Sequence, residues 1–179
     1  SAASDVYKRQ CLGGIAGYLQ NATLTHCVND GALTCGTIAN TGNGSNSGFH
    51  QGGIVGYMKT SSLTECTNNG ALSAPSGRGG GIVAVATSGQ VTACVNNGKV
   101  QDDVNGIFGA NPGYKRMGGL AGGASADAAF TSCVNNGDVF SQLGCRTGGF
   151  VGHNEAKITK CENKGVILSD HTLSGTNYH

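Results

Sequence analysis

A right-handed parallel β-helix, an all-β solenoid of five coils, is the fold this sequence predicts, and three observations predict it. A two-part motif recurs five times in 179 residues. The distance between copies alternates regularly. The stretches between motif parts are short, apolar and mostly β-branched, and they are bounded by Gly, Asn and Ser, which reads as strands and turns rather than helices. Repeats with a period of 20–50 residues point to stacked architectures in which no unit buries its apolar side alone.

Each unit opens on a glycine pair: Gly13-Gly14, Gly52-Gly53, Gly80-Gly81, Gly118-Gly119 and Gly148-Gly149. Tight corners and close stacking of backbones both favour a residue without Cβ. Next comes an apolar position, namely Ile15, Ile54, Ile82, Leu120 and Phe150. The second half is Cys-x-Asn-x-Gly, at Cys27, Cys66, Cys94, Cys133 and Cys161. It begins 14, 14, 14, 15 and 13 residues after the first glycine. The motif asparagines are Asn29, Asn68, Asn96, Asn135 and Asn163, whose amides can bond the next copy and the turn backbone. Two further columns are apolar: Leu24, Leu63, Val91, Phe130, Ile158, and Leu33, Leu72, Val100, Val139, Ile167. Stacked about 4.8 Å apart, such columns become ladders that fill a narrow interior.

From Cys to Cys the spacing runs 39, 28, 39, 28. The coil is therefore about 28 residues, with longer loops on alternate coils, and the added residues fall between the Asn turn and the next glycine pair. The long connections run from Thr34 to Gln51 and from Gln101 to Met117. Insertions at one fixed point map to one flank of a solenoid.

Composition narrows the function. Glycine supplies 32 residues without a three-residue period, and Pro supplies 2, which excludes collagen. Lys+Arg (11) and Asp+Glu (10) cancel, which argues against nucleic acid held by bulk charge. No apolar run reaches the length of a membrane span. Of 8 cysteines, five occupy one ladder, and one thiol per coil reads as a buried apolar filler rather than a disulfide framework. There is no Cys-x-x-Cys and no nearby His pair, so no metal and no cofactor is expected. The acidic residues show one close pair, Asp102-Asp103, placed in a long loop and expected to be solvated, so no catalytic residue is assigned. The five histidines fall at unrelated repeat positions. Thr25, Thr64, Thr92, Thr131 and Thr159 form a hydroxyl column. An ice-binding face needs a second parallel column, and the neighbouring one reads Thr23, Ser62, Gln90, Ala129, Lys157, so hydroxyls bonded to each other or to backbone are the expectation.

The ends differ from the repeat. Residues 1–10, SAASDVYKRQ, share nothing with it and resemble a translated sequencing-adapter peptide, so they read as a non-native leader. Residues 11–179 read as a single solenoid fragment, truncated at both ends, with further repeats of the same chain beyond each.

The units from Gly13 to Leu33, Gly52 to Leu72, Gly80 to Val100, Gly118 to Val139 and Gly148 to Ile167 resemble the GLUG repeat family. Ala84, where a motif glycine belongs, and the extra residue before Cys133 depart from the pattern. The resemblance implies a secreted or surface-anchored bacterial protein, an extracellular β-solenoid stalk or adhesive region, and no catalytic residue. The expected role is thus a structural or adhesive segment whose long loops contact host glycans or an extracellular matrix protein. Function concentrates on loops held by a rigid scaffold, and these loops carry the non-repeated groups Phe49, His50, Asp102, Asp103, Phe108, Tyr114, Lys115 and Arg116. The alternative is a polysaccharide-processing β-helix enzyme or a carbohydrate-binding module.

Overall fold

The computed structural model describes residues 10–34, 49–74, 77–102, 115–141 and 146–169. Among them are strands and turns and no helix. The strands belong to four parallel sheets, and each repeat contributes to all four in the same order. Sheet A holds Gln10–Gly13, Phe49–Gly52, Arg78–Gly80, Arg116–Gly118 and Arg146–Gly148. Sheet B holds the longest strands, among them Val83–Thr92 and Ala121–Thr131. Its other rungs are split, as in Val55–Lys59 followed by Ser61–Thr64. Sheet C is built from two-residue strands at the motif: Val28–Asn29, Thr67–Asn68, Val95–Asn96, Val134–Asn135 and Glu162–Asn163. Sheet D holds Leu33–Thr34, Leu72–Ser73, Val100–Gln101, Val139–Ser141 and Ile167–Ser169. This is a parallel β-helix, consistent with the right-handed form.

The register agrees with the columns read from sequence. Leu24 pairs Leu63, Leu63 pairs Val91, Val91 pairs Phe130, and Phe130 pairs Ile158. Leu33, Leu72, Val100, Val139 and Ile167 pair in series. The Asn and Thr columns also pair in register. Gln10, assigned to the leader by sequence, pairs with Phe49 and so belongs to the first strand of sheet A. The extra residue of the fourth repeat is absorbed as a bulge: Ala86 faces Ala124 and Ser88 faces Asp127, so two residues oppose one.

The interior is double where a single narrow core was expected. One cluster contains Ile54, Leu63, Ile82, Val91, Leu120 and Phe130 with the thiols of Cys66, Cys94 and Cys133. The other contains Leu33, Leu72, Ala74, Val100, Met117 and Val139, where Met117 of sheet A meets the apolar column of sheet D. Each fully buried side chain of this size contributes roughly 1.5–3 kcal/mol. The middle coils bury theirs completely. Among the described residues the exposed large apolar side chains lie in the outermost coils: Leu12, Ile15, Tyr18 and Val28 at one end, and Ile158, Val166, Ile167 and Leu168 at the other.

The two halves of the sequence motif turn out to be one device. A Cβ on Gly14, Gly53, Gly81, Gly119 or Gly149 would fall 2.2–2.6 Å from the Cγ of the Asn in the same repeat. The second glycine of each pair is therefore the floor on which the Asn amide lies. That amide donates to the carbonyl of the motif glycine two residues on, as Asn96 does to Gly98 at 2.8 Å. It also donates to the Asn of the next coil, in an unbroken series from Asn29 to Asn163 at 2.7–2.8 Å.

A second regularity was not visible in the sequence. The residue before each motif cysteine has positive φ: His26 (54°), Glu65 (52°), Ala93 (51°), Ser132 (55°) and Lys160 (53°). None is glycine, although this left-handed conformation costs an L-residue about 1–2 kcal/mol. The turn swings each cysteine inward after the outward-facing threonine strand.

Candidate functional site

The loop candidates are distributed unevenly. Asp103, Phe108 and Tyr114 lie outside the described residues. Phe49 and His50, placed in a long loop by sequence, instead open a strand of sheet A, and Arg116 opens another. Asp102 and Lys115 flank the second long connection and are buried together. Lys115 Nζ donates to both Asp102 carboxylate oxygens at 3.0 and 3.1 Å. The expectation of a solvated Asp102 is thereby corrected. Leaving either ion alone in that place would be strongly unfavourable, and the pair joins the two residues that flank positions 103–114.

The cysteine column is a row of thiols. Cys27, Cys66, Cys94, Cys133 and Cys161 carry no disulfide, and each thiol donates to the carbonyl of the Thr two residues earlier, at 3.4–3.6 Å. The Thr column thus serves the ladder through its carbonyls. Burial pushes the Cys66 and Cys161 thiols up. A hydrogen bond with Cys133, and then burial, push Cys94 up further. Cys133 is the ladder thiol moved down, to about 7, by its hydrogen bond with Cys94. It is fully buried, so ionisation brings no access. In folded protein Cys66, Cys94 and Cys133 are expected to resist an aqueous disulfide reagent and to react stoichiometrically in denaturant. Fast labelling of all three in native buffer would refute the packing role.

Among the described residues no group of three His, Cys, Asp or Glu side chains could hold a metal ion, and no helix is long and apolar enough to cross a membrane.

One constellation escaped the reading of the loops. Where sheets A and B meet, their strands run so close that a Cβ on Gly122 would lie 2.9 Å from the Arg116 carbonyl oxygen. Along this seam two columns stand side by side. In sheet A, His50 pairs Arg78, Arg78 pairs Arg116, and Arg116 pairs Arg146. In sheet B, Tyr18 pairs Tyr57, Tyr57 pairs Val85, Val85 pairs Gly123, and Gly123 pairs His153. The columns touch. The His50 and Tyr57 rings stack at 5.7 Å, and Tyr57 stacks on Tyr18 at 5.2 Å, with planes 3° apart. The arginine side chains lie beside Gly123, where a Cβ would be 3.6 Å from Arg116 Nη1 and 3.7 Å from Arg78 Cδ, both ordinary contacts.

The charge of this seam is legible in its ionisation. Burial, and then Arg146, push the Arg116 guanidinium down. Burial, and then Arg116 and Arg146, push the His153 imidazole down from its usual value, against an opposing pull from Glu155, whose Oε1 is 3.9 Å from His153 Nε2. His153 is thus shifted toward its neutral form. The signal was present in the sequence. Counting two residues back from each glycine pair gives Cys11, His50, Arg78, Arg116 and Arg146. Alignment forward from the glycines passes over it.

The chain matches no protein-family model, no curated protein and no solved structure.

Proposed function

We propose that this chain is a structural and adhesive segment of a large secreted or cell-surface bacterial protein, without catalytic activity. The observation that carries this reading is the confinement of exposed apolar side chains to the two outermost coils. Leu12 and Ile15 at one end, and Ile167 at the other, present positions that the inner coils bury, as at Met117, Ile54 and Val100. Stacking buries such positions one coil against the next, which is how a rod of this kind is built. The unit of function is then length: a stiff rod that holds its side loops at fixed intervals. The resemblance to the GLUG repeats supports the same reading. The contacts proposed are with host glycans or matrix protein, made through the sides of the rod.

The test is a panel of immobilised glycans and matrix proteins, run beside an assay for released reducing ends. Binding without release of reducing ends is the expected result. Release of sugars would overturn the reading in favour of a polysaccharide-processing enzyme, and binding to no member of the panel would overturn the adhesive part.

A further inference from the structure

We propose that two copies of this chain dock head to tail, the last described coil of one (residues 146–169) on the first described coil of the next (residues 10–34), and so form an open-ended filament that continues the columns of the rod. The stacking faces carry this inference and the sides of the rod do not, so it stands apart from the adhesive reading.

The two outer faces complement each other because each inner coil already joins such a pair. Where copies meet, Phe150 of one would cover Ile15 of the next, and Ile167 would cover Leu33. Ile15 is 42% exposed and Ile167 48%, whereas Ile54 and Val100, their counterparts within the stack, are 0% exposed. Complete burial of such a side chain contributes roughly 1.5–3 kcal/mol. Strand edges with unpaired N–H and C=O groups are also ready templates for a further strand.

Hydrogen-bond polarity sets the direction of stacking. Nδ2 of each motif Asn donates to Oδ1 of the Asn one coil further along. At the last described coil Asn163 Nδ2 donates to Gly165 O alone, and at the first Asn29 Oδ1 receives no such bond. The backbone has the same sense. At an inner corner Leu120 N donates to Phe150 O, one coil on, and at an inner turn Lys164 N donates back to Asn135 O. Among the described residues this leaves Phe150 N and Asn163 O unused on one outer face, and Ile15 O and Asp30 N unused on the other. Head to tail, Phe150 N meets Ile15 O and Asp30 N meets Asn163 O. Two last coils face to face would instead oppose columns that both end on Nδ2, and two first coils would oppose columns that both end on Oδ1.

Charge selects the same arrangement. The outer position of the Asn turn reads Asp30, Asn69, Asn97, Asn136 and Lys164. Amide bonds of 2.7–2.8 Å link the first four, from Asn69 Nδ2 to Asp30 Oδ1 and onward. One face therefore presents a carboxylate and the other an ammonium at the same point. Head to tail they become neighbours on adjacent rungs, while like faces would oppose like charges. Lys164 also pairs with Glu162 at 3.2 Å, and Glu162 would face the uncharged Val28. A head-to-tail contact along the rod axis is heterologous and does not close, so growth is open-ended. With five rungs in sheets A, C and D, each copy would add about 24 Å to the filament.

The experiment follows the 179-residue chain by sedimentation velocity over a range of concentrations, in a thiol reductant so that no disulfide links copies. Species larger than dimers, growing with concentration, are expected. Ile15→Glu spoils one face and Ile167→Glu the other, with circular dichroism as the check on folding. Each variant alone should be monomeric. Their equimolar mixture should give dimers and nothing larger, because one sound face of each kind remains. Should either variant fail to fold, Asp30→Lys and Lys164→Asp take their place. Each of these should weaken association up to about fivefold at low salt, and mixing the two should restore it. Wild-type protein that stays monomeric at every concentration would overturn the filament. Dimers in one Ile→Glu variant by itself would overturn the head-to-tail direction, since like faces would then be meeting. A mixture that remains monomeric, or charge variants that neither weaken association nor recover on mixing, would overturn the paired faces. None of these outcomes alters the result of the glycan and matrix-protein panel, which decides the adhesive reading separately.

Discussion

Gly81→Ala is expected to destabilise the fold by at least about 4 kcal/mol, a large part of the 5–15 kcal/mol that holds a typical domain together. The added Cβ would lie 2.2 Å from Asn96 Cγ and 2.2 Å from the Gly119 carbonyl oxygen. Both are fixed. The carbonyl belongs to the stacked corner of the next coil, and Asn96 is held by hydrogen bonds along the whole amide column. Relief would require separating two coils, which would break backbone bonds such as Gly81 N to Gly118 O. Gly123→Ala is the control, because its Cβ would meet Arg116 Nη1 at 3.6 Å, an ordinary contact. Urea unfolding should show a large loss for the first and a change within about 0.5 kcal/mol for the second. A Gly81→Ala protein with the wild-type midpoint would mean that the glycine pairs are not the seat of the Asn column.

The second large effect is expected at Asn96, the centre of that column. Its amide is fully used. Nδ2 donates to Gly98 O and Asn135 Oδ1, and Oδ1 accepts from Asn68 Nδ2 and the Gly98 amide. Asn96→Ala strands several buried partners and should cost about 3–5 kcal/mol. Asn96→Asp should cost more at neutral pH. It keeps the acceptors, loses both donors and buries a charge facing two oxygens. Its pH dependence has a definite sign. The buried carboxyl is raised above its unfolded value near 3.9, so the folded state binds the extra proton. Stability of this variant should therefore increase as pH falls through the raised folded pKa. Asn163, on the exposed last rung, provides the comparison, and Asn163→Ala should cost no more than about 1 kcal/mol. Equal losses at Asn96 and Asn163 would show that the series does not act through burial.

How much of this was legible in the sequence depended on whether a residue answers to its copies or to a distant partner. The ladders through Leu24, Leu33, Asn29 and Cys27 were legible because in-register stacking forces like onto like, and repetition in sequence becomes pairing in space. The position of the insertions was legible for the same reason. The double interior was not: Met117 packs on the sheet D column through a contact that no repeat position announces. Asp102 and Lys115 read as loop charges because the ion pair between them bridges a connection whose closure only the fold specifies. The seam was missed because its two columns sit seven residues apart across a glycine corner. Their proximity depends on how sharply that corner folds, and a repeat alignment cannot show it.

The left-handed residue before each cysteine bears on how such coils could be written anew. Its occupants here are His, Glu, Ala, Ser and Lys, residues with no branch at Cβ. Val, Ile and Thr are the natural vocabulary of the strands on either side, and they are the residues that tolerate positive φ least. A designer who extended the β-rich consensus across this point would build in a fault at every rung, repeated as often as the coil. Asn or Gly there would remove a recurring strain instead, and the benefit would accumulate with the length of the rod.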